Sequence, residues 1–129
     1  MKYLVDTTVL IDSLRGNIEA RSFLKQKNPK ITAITIAELV HGSRDQKELN
    51  STLVLCDSLH QVEIGNKIIE FALKLLYKFY LSNGLKFWDA VIASCAIENK
   101  LILVTDNIKH FKFIKELELL PQEEAFKQL

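Results

Sequence analysis

The stretch Lys2-Tyr3-Leu4-Val5-Asp6-Thr7-Thr8-Val9-Leu10-Ile11-Asp12 decides the fold. Tyr3, Leu4 and Val5 make a short apolar run rich in strand formers, and it stops at Asp6. Val9, Leu10 and Ile11 then resume the apolar pattern before Asp12. An unbroken apolar run reads as a strand buried on both faces, which is what a parallel sheet produces. A carboxylate at its C-terminal end would stand at the crevice where open α/β sheets bind ligands. Asp is also a favoured helix N-cap. On this stretch alone Asp6 is either a cap or a functional group.

Further strands follow outward from this one. Lys30 to Thr35 alternates apolar residues with Thr, His60 to Ile64 is a weaker candidate, and Leu101 to Val104 is a clear buried strand. Leu117 to Leu120 suits an edge strand before Pro121. Helical patterns lie between them. Gly16 suits a left-handed helix end after Ser13-Leu14-Arg15, and Ile18 to Lys27 reads as a helix with Ile18, Phe23 and Leu24 inward. Ile36 to His41 ends at Gly42, and Thr35-x-x-Glu38 fits a capping box. Ser43 to Asp57 has Leu49, Leu53 and Cys56 at core spacing. Asn66 to Leu81 carries a wide apolar stripe from Ile68 to Tyr80 and ends at Asn83-Gly84. Leu85 to Ile97 is nearly all apolar or small, so it reads as a buried helix. Asp89 is its only acidic residue. A charge there is costly unless paired or bound to a metal. The tail to Leu129 has helix formers but little core.

Composition narrows the class. At 129 residues the chain, 1–129, is expected to be one domain with a genuine core. Seventeen Lys and Arg against sixteen Asp and Glu leave a net charge of +1, so nucleic-acid binding would have to use a local patch. Cys56 and Cys95 lie far apart in apolar surroundings and read as buried free thiols. No window is long enough for a membrane span, and the N-terminal apolar run is too short for a secretory signal. A cytoplasmic protein without membrane contact is expected.

Strands alternating with helices imply right-handed βαβ units, with every C-terminal strand end on one edge. Asp6, Glu38 and Asp106 would converge there, with Asp89 entering from a helix start. Carboxylates gathered without a Lys or Arg at each one repel, and a hard divalent cation with oxygen ligands is the natural remedy.

These motifs together resemble the PIN-domain family, and within it the VapC-like toxins of toxin–antitoxin pairs. The resemblance covers essentially the whole chain. It rests on Tyr3-Leu4-Val5-Asp6-Thr7-Thr8, Thr35-Ile36-Ala37-Glu38-Leu39, Trp88-Asp89-Ala90-Val91-Ile92-Ala93, and Val104-Thr105-Asp106-Asn107 with His110-Phe111. It implies a three-layer α/β/α fold with a central parallel sheet of four to five strands. It also implies an endoribonuclease using Mg²⁺, or Mn²⁺ as a substitute, in which a metal-activated water attacks the phosphodiester in line. Transfer RNA is the first substrate to test.

Asp6, Glu38 and Asp89 match the family's metal-binding acids. Asp106 is assigned the fourth position because a carboxylate is the better ligand. Asn107 competes for it, since the family pattern would align Asn107 with the acid column. Thr7, Thr8 and Thr105 match supporting polar positions. Arg15, Lys86 and Lys109, each near an acidic motif, are candidates for RNA-backbone contacts. His41, His60 and His110 lie at non-matching places. The implied partners are a cognate VapB-like antitoxin and RNA, in a homodimer or a toxin–antitoxin hetero-oligomer. Two rival readings are a PIN-like module that binds RNA or protein without cleaving and a PIN nuclease of RNA maturation. A haloacid-dehalogenase-like phosphatase is set aside, because Thr8 stands where that chemistry wants a second Asp.

Overall fold

A computed structural model describes residues 2–129. Five parallel strands form one sheet in the order β3-β2-β1-β4-β5, with β1 (Tyr3–Val5), β2 (Lys30–Ile31), β3 (His60–Gln61), β4 (Ile102–Val104) and β5 (Leu119–Leu120). The chain winds outward from β1 to β3 and then returns to lay β4 against the other side of β1. That reversal creates a topological switch point between β1 and β4, where open α/β sheets hold their ligands. Tyr3, Leu4 and Val5 pair in register with Ile102, Leu103 and Val104, so Asp6 and Thr105 emerge side by side.

Side chains alternate across the sheet with the period of two that a strand imposes. Leu4 and Leu103 pack into a core with α5 (Asn66–Asn83) and α6 (Phe87–Glu98). Tyr3, Val5 and Val104 pack on the opposite face with α1 (Thr7–Leu14), α2 (Ile18–Lys27) and the C-terminal α7 (Gln122–Phe126). Helices on both faces give the expected α/β/α layering. α3 (Ala33–His41) and α4 (Gln46–Asp57) bridge β2 and β3. Positive φ at Gly84 (68°) ends α5, as its sequence position predicts, and Gly16 (93°) does the same after α1. Cys56 and Cys95 are buried free thiols.

Several expectations are corrected. The strand expected over 30–35 is only Lys30–Ile31, because α3 begins at Ala33. The hydroxyl of Thr32, not Thr35, caps that helix by accepting from the Thr35 N–H at 3.2 Å. Thr35 is therefore inside the helix, and the Thr35–Glu38 capping box does not form. β3 is likewise shorter than the run from His60 to Ile64.

Ile18 is exposed, and Ala20, Phe23 and Leu24 face inward instead. Positions 20, 23 and 24 follow helical spacing, whereas 18 and 23 do not share a face. In α4 the buried positions are Thr52 and Cys56, and Leu53 turns outward. α5 buries Ile68, Ala72 and Leu75 and exposes Tyr80. The tail, expected to lie outside the core, folds back as α7. Phe126 meets the Phe23 ring edge-on at 5.7 Å, and the Tyr3 hydroxyl donates to Gln128 Oε1 at 2.7 Å.

Candidate metal centre

Asp6 serves both readings of the opening stretch. It caps α1, its Oδ1 accepting from the Thr7 N–H at 2.7 Å, and it lies only 4% exposed at the switch point. Its Oδ2 accepts from the Thr105 hydroxyl at 2.9 Å, and its own N–H donates to the Val104 carbonyl. Thr105 Oγ1 in turn accepts from the Asn107 N–H at 2.9 Å, which aims the hydroxyl proton at Asp6. Thr105 thus fixes the carboxylate across two strands joined only by tertiary structure. Asp6 still has oxygen lone pairs that none of these bonds uses.

Glu38 reaches the same edge from the middle of α3. Its pKa is raised by burial first and then by the charges of Asp6 and Asp89, while the Thr7 side chain eases it in the other direction. The Thr7 hydroxyl has no full hydrogen bond, however. It is a buried polar atom without a partner. Asp89 stands in the first turn of α6, its side chain 14% exposed. Burial pushes its carboxyl up to about 6, helped by the charge of Asp6 and opposed by His110 and Lys86. His110 Nδ1 lies 3.5 Å from Asp89 Oδ2. The charge of Asp6 acts on both Glu38 and Asp89, and that of Asp89 on Glu38, which groups the three acids at one edge.

Asp106 has different neighbours: burial and the charges of Asp12 on α1 and Glu123 on α7 raise its carboxyl pKa. Its backbone N–H donates to Thr8 Oγ1 at 3.2 Å. Asn107, just before the 3₁₀ turn Ile108–His110, contributes its N–H to Thr105.

A cleft of about 570 Å³ opens beside Glu38 among α1, α3 and α4. Its lining includes the apolar Ile11, Leu14 and Leu39 and the basic Arg15, Arg44 and Lys47, but neither Asp6 nor Asp89. Arg44 is held there by an ion pair to Glu48 at 2.7 Å. Lys86 stands 5.5 Å over the ring of Trp88, and Lys109 is exposed on the 3₁₀ turn.

Oxygen donors, partial burial and a shortage of positive charge suit a hard divalent cation. Among the described residues, no three His, Cys, Asp or Glu side chains stand close enough to cage an ion as they are.

The PIN domain family matches residues 3–116, spanning β1 through the turn that carries His110. The chain belongs to the PIN domain family. Among curated PIN relatives, Ribonuclease VapC2 of Rickettsia felis is 32% identical, covering 91% of this chain and 95% of that protein. Ribonuclease VapC of Rickettsia bellii is 28% identical, covering 93% and 96%. Among solved structures, a toxin–antitoxin complex from Klebsiella pneumoniae superposes with a TM-score of 0.76 at 27% identity, covering 94% of this chain and 98% of that one. VapBC2 of Rickettsia felis, bound to a DNA fragment from its promoter, gives 0.79 at 26% identity over the same shares.

The sequence reading gave no role to His110 and did not name Arg44. His110 approaches Asp89 although 21 positions separate them, and no sequence spacing signals that. Arg44 enters the cleft through the angle between α3 and α4, which is equally invisible in one dimension.

Proposed function

We propose that this protein is the toxin of a VapBC-like pair, a Mg²⁺- or Mn²⁺-dependent endoribonuclease restrained by a cognate antitoxin. The observation that carries the reading is the buried Asp6 carboxylate, held by Thr105 at the β1/β4 switch point, with its charge acting on both Glu38 and Asp89. Such like-charge pressure is unfavourable in an apo protein and becomes useful when a cation and a phosphodiester arrive. The full-length kinship to VapC ribonucleases supports the same activity, and the likeness to toxin–antitoxin complexes supports the partner.

The protein's own groups would divide the work. Asp6, held by Thr105 and the Thr7 N–H, offers a pre-oriented carboxylate. Glu38 and Asp89 complete the oxygen set from two different helices. The unpartnered Thr7 hydroxyl is available to hold a water or a phosphate oxygen. A bound Mg²⁺ or Mn²⁺ would supply the polarisation of the phosphoryl oxygen and the activation of water. His110, with Nδ1 3.5 Å from Asp89 Oδ2, favours the ionised carboxylate against the burial that raises its pKa. Arg15, Arg44 and Lys47 along the cleft, with Lys86 and Lys109 close in sequence to Asp89 and Asp106, would offer the RNA backbone local positive charge in a chain whose net charge is only +1. An enzyme acting on cellular RNA and met by an antitoxin would work in the cytoplasm, as a homodimer or in a hetero-oligomer with that antitoxin.

The test is incubation of purified protein with total RNA, transfer RNA included, in Mg²⁺, Mn²⁺ or EDTA, beside Asp89→Asn. Discrete metal-dependent fragments, lost in the variant, are expected. Intact RNA from folded, antitoxin-free protein would overturn the reading in favour of a non-cleaving module.

A further inference from the structure

α6 is buried without a break from Ala90 to Ala96. Its first turn is the exception. Phe87 is 38% exposed and Trp88 48% exposed, immediately before Asp89. Two large aromatic rings in water beside an acidic site need an explanation, because the same helix is buried from Ala90 to Ala96. Lys86 Nζ lies 5.5 Å over the Trp88 ring, and the same ammonium acts on the Asp89 carboxylate. Cation, aromatic rings and carboxylate therefore lie together within positions 86 to 89.

Neighbouring residues of a helix point about 100° apart. Trp88 thus faces to the side of Asp89 rather than into the acidic centre. A group lying on the ring would flank whatever the three carboxylates hold. Single-stranded nucleic acid offers the matching chemistry: a π-face on every base to stack on an aromatic ring, and a phosphate beside it for a lysine. The apolar ring and Lys86 together fit one nucleotide unit better than an aliphatic peptide, which would leave the ammonium without a counter-charge.

We infer that Trp88 is a stacking platform for an unpaired base flanking the scissile phosphate, with Lys86 released from the ring to hold that nucleotide's phosphate. The inference rests on the ribonuclease reading above and adds a binding residue outside the carboxylate set. It also specifies single-stranded or flipped-out RNA as the form that is bound.

Trp88 is the sole tryptophan of the chain, so its fluorescence reports this position alone. The experiment titrates the full-length protein, with Ca²⁺ in place of Mg²⁺, using single-stranded oligoadenylate and, separately, heparin as a polyanion without bases. Oligoadenylate is expected to quench the emission while heparin leaves it unchanged. By filter binding, Trp88→Ala is expected to hold oligoadenylate on the order of tenfold more weakly, with Trp88→Phe between the two. Lys86→Gln lowers the salt slope of binding by about one. In cleavage, Trp88→Ala raises KM and leaves kcat near its starting value, since stacking acts on binding rather than on the reacting atoms.

Equal quenching by both polymers, no quenching by either, or full-strength binding by Trp88→Ala overturns the inference. Emission that shifts with protein concentration and ignores oligoadenylate also overturns it, by assigning the ring to a contact between copies of the chain. Base-dependent quenching without any RNA cleavage would instead sink the nuclease reading and leave the platform standing.

Discussion

Burial holds the Asp89 carboxyl near pH 6, and this gives the residue a signature in stability as well as in activity. Because the folded pKa lies above the unfolded value of 3.8, the native state binds more protons between about pH 4 and pH 6. Stability therefore falls as pH rises through that window, and the ionised carboxylate remains a burden above it. Without metal, Asp89→Asn should melt at a higher temperature than the parent at pH 7.5, with the gap narrowing toward pH 5. Thermal melts in EDTA at the two pH values check this. A variant that is more stable yet inactive is the usual mark of a group kept for function. Lower pH also protonates Asp89, so Mn²⁺ affinity measured by calorimetry should drop on acidification through about pH 6. In the sequence, Asp89 was conspicuous as a lone acid in an apolar helix, but the His110 contact that tempers it was not.

Among the elements, α3 and α7 depart most from their sequence patterns. The sequence pattern put the helix cap at Thr35. The structure decides for Thr32, whose hydroxyl accepts from the Thr35 N–H, while Thr35 Oγ1 is buried without a partner. Thr32→Ala is expected to cost about 1 kcal/mol. Thr35→Val, which removes an unpaired hydroxyl while keeping the shape, should be neutral or stabilising. Urea unfolding of the two variants separates these outcomes. α7 is too short and too polar to announce itself in sequence, and only the Phe23–Phe126 and Tyr3–Gln128 contacts reveal its role. Phe126→Ala should cost about 3 kcal/mol, the lower end for a buried aromatic, by the same measurement.

For the whole molecule, the acidic centre predicts coupling between ion binding and folding. Mn²⁺ at 100 times its Kd should stabilise the native state by about 2.7 kcal/mol, seen as a rise in melting temperature. Glu38→Gln and Asp89→Asn should lose that rise. Asp106→Asn should keep it, because the Asp106 carboxyl faces Asp12 and Glu123. A lost response in Asp106→Asn would restore it to the ligand set. The sequence by itself determined the alternating α/β order, the apolar strands ending at Asp6 and Thr105, and the acids at 6, 38 and 89. Those depend on composition and local periodicity, which act within a few residues. Tertiary structure alone decided that β4 returns beside β1, that Thr105 bonds Asp6, that His110 meets Asp89, and that Asp106 comes under the charges of Asp12 and Glu123. Each of these is a contact or separation between segments distant in the chain, set by strand register and layer packing, which no local pattern encodes.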